Sequence, residues 1–435
     1  MATTHTFNKS AYLLTVSLIS LALIRCDGSP SGGDGGPDAA PRADSSDDVL
    51  ADAAANDALA LDGALDVISP PTDVGVALDA AVDVAPSEVA TPPGRVGVFV
   101  AQGYVGRTTI SCDDGRTWVA NRSDDDALRC FAGGLDCDHN GGRAMGVSAI
   151  DGVIFASWGW GMPNSVRRSS DGARWDRSID RSIFSGIESA AGRVVAISNQ
   201  PQLSTDLGGR WTPSTPLGFM GHIRATGVIG TSPRRFVAAG GENGATVGDV
   251  MISDDGMTWR RPMSVPRECG QGVAADGVGF GGDGAGIAVI THDNGLVCVS
   301  RDGGQQWTSS RVDGVNFEAT VIHTGTEFVT WGRSMTMGLV QLRSVDGVRW
   351  TPAALSATNA DGSRATTPRI NAAARSPSGT FVTVHGEWNN WYDRQLFYRS
   401  TDGVRWQALA RSAFVGSHPI RFFTYAEIAR GGACP

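Results

Sequence analysis

Lysine is almost missing from this chain: of its 36 basic residues only Lys9 is a lysine. Aromatic residues make up 7% and charged residues 19% of the 435 positions. An excess of one charge is also missing from most of the sequence. The net charge of −9 is set by residues 27–94, where 14 acidic side chains face Arg42 alone, so that residues 95–435 come out near +2. A duplex-binding protein carries a basic stripe that tracks phosphates, so no nucleic-acid partner is expected. The seven histidines are scattered, and no metal-ligand cluster, nucleophile elbow or phosphate-cradling glycine loop is present. No metal and no cofactor are therefore expected. What remains, 41% hydrophobic residues with 57 Gly and 12 Trp, allows one or two globular domains and excludes a wholly disordered chain.

Residues 1–26 read as an export signal. Lys9 precedes the apolar run from Ala11 to Ile24, which is too short to span a membrane comfortably. The run ends in Leu23-Ile24-Arg25-Cys26, which resembles the lipobox of bacterial lipoproteins. That resemblance implies lipidation at Cys26 and a membrane-anchored, exported location in the cell envelope, periplasmic or at the cell surface. Arg25 departs from the pattern, which normally has a small residue there, so a plain secretory signal and an uncleaved anchor stay open. Residues 27–94 form an Asp/Ala/Pro-rich acidic stretch without an aromatic residue. Such a segment cannot build a core, and its like charges favour extension. It is expected to be a disordered linker holding the folded part away from a membrane.

Residues 95–435 carry an internal repeat. A short pattern ending in Gly-x-x-Trp recurs seven times, with tryptophans at 118, 175, 211, 259, 307, 350 and 406. Three copies read Ser-x-Asp-x-Gly-x-x-Trp, with Ser111, Asp113 and Gly115, then Ser204, Asp206 and Gly208, then Ser300, Asp302 and Gly304. The fourth keeps an acid and a glycine at Asp254 and Gly256. The remaining three, read as degenerate, place Asp171, Asp346 and Asp402 just before Gly172, Gly347 and Gly403. We call these turns boxes. An Asp or Ser oxygen can bond amides inside a tight turn where glycine accepts positive φ, and the tryptophan buries its underside. Seven equivalent positions point to structure, not chemistry. The pattern resembles the Asp-box, or BNR, repeat of sialidase-like and sortilin-like propellers.

A mean spacing near 48 residues between box tryptophans suits one four-stranded blade per repeat. The expected fold is all-β: a seven-bladed β-propeller of antiparallel blades over 95–435. Runs such as VGVFVAQG, GVIFASWG, AGIAVITH and GTFVTVHG read as second strands, and AMGVSAI, RATGVIG, QGVAADG, EATVIHT and INAAARS as innermost strands. Pro93 leads straight into a second strand, so the first blade lacks an inner strand, which Arg421 to Ile428 can supply to close the ring. Of the seven cysteines, Cys130 and Cys137 are close in sequence, Cys269 and Cys298 share one repeat, and Cys112 with Cys434 would staple the closing strands. The pairing stays open.

In a four-stranded meander the boxes lie opposite the loops joining second to third strands. Tyr104, Trp158, Trp160, Trp331, Trp388 and Trp391 all fall at that opposite face, with Glu387 among the polar groups beside them. Aromatic platforms with polar partners suit sugar rings or peptide chains, and packing between blades is the alternative. Aligned starts of inner strands place Arg143, Arg224, Arg369 and Arg421 near the central channel, with Gln271 and Glu318 in two other blades. Such arginines suit a carboxylate or other anion, unless neighbouring acids hold them. The sialidase resemblance implies an arginine triad with a tyrosine nucleophile activated by a glutamate, for which Tyr425 and Glu427 are the candidates. The family's Phe/Tyr-Arg-Ile-Pro motif is absent, replaced by Gly94-Arg95-Val96-Gly97. The expected function is a membrane-tethered, non-catalytic propeller that binds a glycan or protein ligand. A sialidase-like hydrolase and a structural envelope scaffold are the alternatives.

Overall fold

The computed structural model describes residues 94–121, 143–159, 165–180, 182–218, 222–241, 248–270, 278–385, 396–413 and 420–435, less 104, 105 and 107. The export signal, Cys26, the acidic linker, Tyr104, Cys130, Cys137, Trp160, Gln271, Glu387, Trp388 and Trp391 lie outside the described residues. Regular structure among the described residues is β, apart from two 3-10 turns at Arg267–Gly270 and Arg411–Ala413. No helix among them is long and apolar enough to cross a membrane.

The strands follow the repeat, one antiparallel meander per box. The first meander joins both ends of the domain: β1 (Arg95–Gly103), β2 (Thr108–Ser111) and β3 (Val119–Asn121) take β28 (Ile420–Ala429) as their inner strand, with Phe99 opposite Tyr425. The second runs β4 (Arg143–Ile150), β5 (Val153–Gly159), β6 (Ser165–Ser169) and β7 (Asp176–Asp180). The third is β8 (Gly186–Ala190), β9 (Arg193–Ile197), β10 (Gln202–Ser204) and β11 (Thr212–Pro213). The fourth has β12 (His222–Ile229), β13 (Arg235–Gly241) and β14 (Gly248–Ser253). The fifth is β15 (Val278–Gly282), β16 (Ala288–His292), β17 (Leu296–Ser300) and β18 (Trp307–Arg311). It touches the sixth, β19 (Val315–His323) to β20 (Phe328–Ser334), β21 (Gly338–Ser344) and β22 (Thr351–Ala354), through one parallel pair, Phe280 with Thr320. The seventh holds β24 (Ala373–Arg375), β25 (Phe381–Val384), β26 (Phe397–Ser400) and β27 (Arg405–Ala408), with β23 (Ser356–Thr358) parallel along β27. The architecture is all-β, built of antiparallel meanders.

Second strands read as unbroken apolar runs because both of their faces are covered. In β5, every residue from Ile154 to Gly159 is buried. The hydrophobic core is accordingly divided among the spaces between neighbouring sheets. One cluster joins Val98 and Ile428 to Ile154 and Trp158, another Val237 and Ile252 to Val278 and Cys298. The inner strand of the fifth meander is β15, which starts at Val278; the expected inner strand QGVAADG lies outside the described residues. Disulfides join Cys112 to Cys434 and Cys269 to Cys298.

All seven boxes use one bonding scheme, which corrects the reading of four of them. The box serine hydroxyl donates to the aspartate two residues on, and accepts the glycine amide at 2.8 Å in every copy. In the fourth copy the working acid is Asp255, bonded by Ser253 and by the amides of Met257 and Thr258, while Asp254 instead pairs with Arg235 at 2.6 Å. The copies at Asp171, Asp346 and Asp402 keep the same Ser-x-Asp and are not degenerate. They differ from the long copies only by lacking one residue before the glycine. That extra residue sits in the left-handed region, at φ 58° for Asp114, 55° for Leu207 and 72° for Gly303.

The carbonyl preceding the box glycine also accepts a bond from the preceding sheet. Arg168 donates to Leu207 O at 2.6 Å, Arg343 to Asp402 O at 2.9 Å and Arg399 to Asp114 O at 2.8 Å, each arginine standing just before its own box serine. Arg235 reaches Gly303 O, Arg301 reaches Asp346 O, and the amide of Ala433 reaches Asp171 O. A guanidinium spanning two sheets adds a charge-assisted bond to the few backbone bonds that join neighbouring sheets.

Candidate functional site

The innermost strands touch one another in the order β28, β4, β8, β12, β15, β19, β24 and back to β28. They surround a cavity of about 650 Å³ lined by all seven, including Glu188, His222, Arg224, Thr226, Arg421 and Tyr425. Its box end is where inner strands finish: the amide of Ala429, the last residue of β28, bonds Ser170 O in a box. Strand starts therefore open on the opposite face, as the strand count expects.

Four inner strands are bulged near that opening. Register breaks at Arg421 in β28, at Met145 in β4, at Arg224 in β12 and between Phe317 and Val321 in β19. A bulge inserts one residue and re-aims its side chain. Arg224 and Arg421 are thus structurally equivalent. Arg143, which pairs with Gly159, instead corresponds to His222, which pairs with Gly241. The expected alignment of Arg143 with Arg224 and Arg421 is off by two positions, because the similar Arg-Ala-x-Gly-Val letters at Arg143 and Arg224 fall on different rungs of their ladders.

Arg369 precedes β24 and is held by an acid. Its Nε donates to Glu318 Oε1 at 2.8 Å and its Nη2 to Oε2 at 3.2 Å. Burial pushes the Glu318 carboxyl up, and Arg369 pulls it back. Trp158 and Trp331 are 0% and 1% exposed. The Trp158 indole donates to Gly103 O at 2.8 Å and the Trp331 indole to Gly403 O at 2.9 Å, so both rings brace neighbouring sheets. The structure thus brings Arg224 and Arg421 to one cavity, ties Arg369 to Glu318, and places these two tryptophans in the core.

Tyr425 packs edge-on against Phe99 at 5.5 Å. Its hydroxyl stays protonated, since burial, then Glu427 and Asp114, push it up. It lies level with box Ser111, both facing Phe99, and four residues of extended strand put it roughly 13 Å along the chain from Arg421.

Glu188 was not expected from sequence. Among the described residues its carboxyl accepts one hydrogen bond, from the Thr226 hydroxyl on the adjacent inner strand, at 2.6 Å. Burial pushes the Glu188 carboxyl up to about 7, with a smaller lowering by Thr226. GIESA (β8) falls outside the runs expected as inner strands, and aligning Ile187 with the apolar positions of those runs is the signal that points to it. Among the described residues no group of three or more His, Cys, Asp or Glu side chains could hold a metal ion.

No protein-family model matches the chain, and no curated protein matches it. Solved structures are similar to it in fold. YCF48 bound to D1 peptide is 17% identical over 62% of this chain and 85% of that chain, with a TM-score of 0.40. YCF48 from Cyanidioschyzon merolae is 13% identical over 72% and 94%, with a TM-score of 0.42. AztD from Citrobacter koseri is 10% identical over 77% and 98%, with a TM-score of 0.41. These neighbours are propeller-like all-β folds.

Proposed function

We propose that the chain is an exported, membrane-tethered seven-bladed propeller of the Asp-box type, closed by its C-terminal strand, which binds a glycan or protein ligand at the cavity mouth opposite the boxes. The observation that carries this reading is the cavity itself: all seven inner strands line it, and equivalent bulges set Arg224 and Arg421 at one end. The pairing of β28 with β1 and the Arg399 bond to Asp114 support closure. The disulfides support an oxidising compartment, and lipidation at Cys26 rests on the resemblance of its flanking residues. Tyr104, Trp160, Glu387, Trp388 and Trp391 belong to the proposed ligand face by their place in the repeat. The spread between Arg421 and Tyr425, with a phenol held protonated, favours binding over sialidase-like hydrolysis.

The test presents the full chain to a glycan array, a peptide array and a panel of sialosides, comparing wild type with Arg421→Ala and Arg224→Ala. Binding without turnover, weakened at least tenfold by either change, is the expected result. Sialoside turnover lost in Arg421→Ala would replace this reading with the hydrolase, and the absence of both binding and turnover would overturn it in favour of a scaffold.

A further inference from the structure

Glu188 poses a problem that the fold does not solve. A carboxyl largely withdrawn from water needs a counter-charge or several donors, and this one, half-buried on the cavity wall, has a single hydroxyl among the described residues. The elements packed against β8 are β4, β5, β9 and β12. β4 and β5 contribute no described ionisable side chain; β9 has Arg193 at its hairpin end, and β12 has His222 and Arg224 towards the mouth. Among the described groups, burial raises the Glu188 carboxyl and the Thr226 hydroxyl lowers it by less. Nor has the acid room to withdraw: a Cβ at Gly186 would press on Thr226 and one at Gly146 on the Ile187 amide, so the strands beside it are in close contact. The carboxyl lines the cavity, with Ile187, Val147, Ile223 and Phe422 among the apolar groups around it.

Resting on the reading of this cavity as a ligand site, we propose that it receives the lysine side chain of a protein ligand, with the ammonium group seated on Glu188 and the methylene stem against the apolar wall. A four-carbon stem carries a charge through an apolar collar that a short polar group would leave unfilled. Residues 95–435 contain no lysine of their own to compete for it. A lysine ammonium stays charged well above neutral pH, so of the two partners in the pair it is the acid that changes state between pH 6 and 8. Binding draws on the ionised acid and, at pH 6, releases its proton to solvent.

The experiment titrates the full chain with Nα-acetyl-lysine methylamide by calorimetry at pH 6 and pH 8, with the Nε-acetylated form as the amine-free control. Binding about tenfold tighter at pH 8 is expected, because the competent fraction rises from about a tenth to about nine-tenths. The heat at pH 6 should depend on the buffer's ionisation enthalpy, and the acetylated control should not bind. Glu188→Gln should abolish both binding and its pH dependence while keeping a cooperative melt; Thr226→Val, which removes a donor to the carboxylate, should move the pH dependence upward. Absence of lysine binding, pH-indifferent binding, or binding retained in Glu188→Gln overturns the assignment. Glucosamine bound at pH 7 without lysine would do the same. Array binding that depends on Arg421 but not on Glu188 would overturn the ammonium seat while leaving the ligand-face reading standing.

Discussion

Arg399 is the sharpest probe of how the two ends of the domain are held. Its Nε donates to Asp114 O at 2.8 Å and its Nη2 to Asp114 Oδ2 at 2.7 Å, with Thr380 Oγ1 at 3.0 Å. The side chains are 18% and 29% exposed, so the pair is only partly screened. Hydrogen bonds to charged groups contribute about 1.5–3 kcal/mol each. Asp114 would keep its bonds from Thr380 and Ser376, so Arg399→Met does not orphan the acid, and the expected loss is about 3 kcal/mol in urea unfolding at pH 7. Arg168→Met breaks one guanidinium–carbonyl bond at the equivalent position and, with no ion pair lost, should cost about 1.5 kcal/mol. A double-mutant cycle of Arg399→Met with Asp114→Ala should return a coupling of about 1–3 kcal/mol. The pH dependence follows from the same geometry. Burial raises the Asp114 carboxyl, but Thr380 and Arg399 outweigh it and hold it below 3.8. Its contribution is present above that value and lost as pH falls through the lower folded value, so Arg399→Met should flatten the acid limb of the stability profile. A cost under about 0.5 kcal/mol with zero coupling would refute the clasp.

Asp402 is held at about 2: burial raises it, but the Arg405 and Val404 amides outweigh that. Discounted for solvent screening, its shift is worth about 1 kcal/mol, so Asp402→Asn should destabilise at pH 7 and make little difference at pH 2 in urea melts. Gly403 adopts φ 70°, and a Cβ there would collide with the Gln341 amide; Gly403→Ala should cost about 2 kcal/mol or more, whereas Gly192→Ala, where a Cβ meets nothing within 4 Å, should cost about 1 kcal/mol for its backbone alone. Cys434→Ser opens a bridge spanning 322 residues and should cost about 2–5 kcal/mol, read as a lower melting temperature that reductant does not lower to the same extent again.

Sequence alone determined the repeat, and with it the all-β class, because Ser, Asp, Gly and Trp at fixed offsets leave the backbone one way to turn. It also paired Cys112 with Cys434 as candidates and placed the last strand against the first, since a chain entering at a second strand must find its inner partner elsewhere. Even the Arg-Ser step before three boxes was visible in the letters, although its meaning, a bond to the following sheet, was not. Tertiary structure decided what periodicity cannot encode. Trp158 and Trp331 look like surface aromatics because a strand end carries no label for burial, and only the neighbouring sheet covers them. Bulges at Met145, Arg224 and Arg421 shift register by one residue without changing composition. Glu188 became a site only when a hydroxyl 38 residues away reached it across the gap between two inner strands, for desolvation is a property of what surrounds a group and not of the sequence beside it.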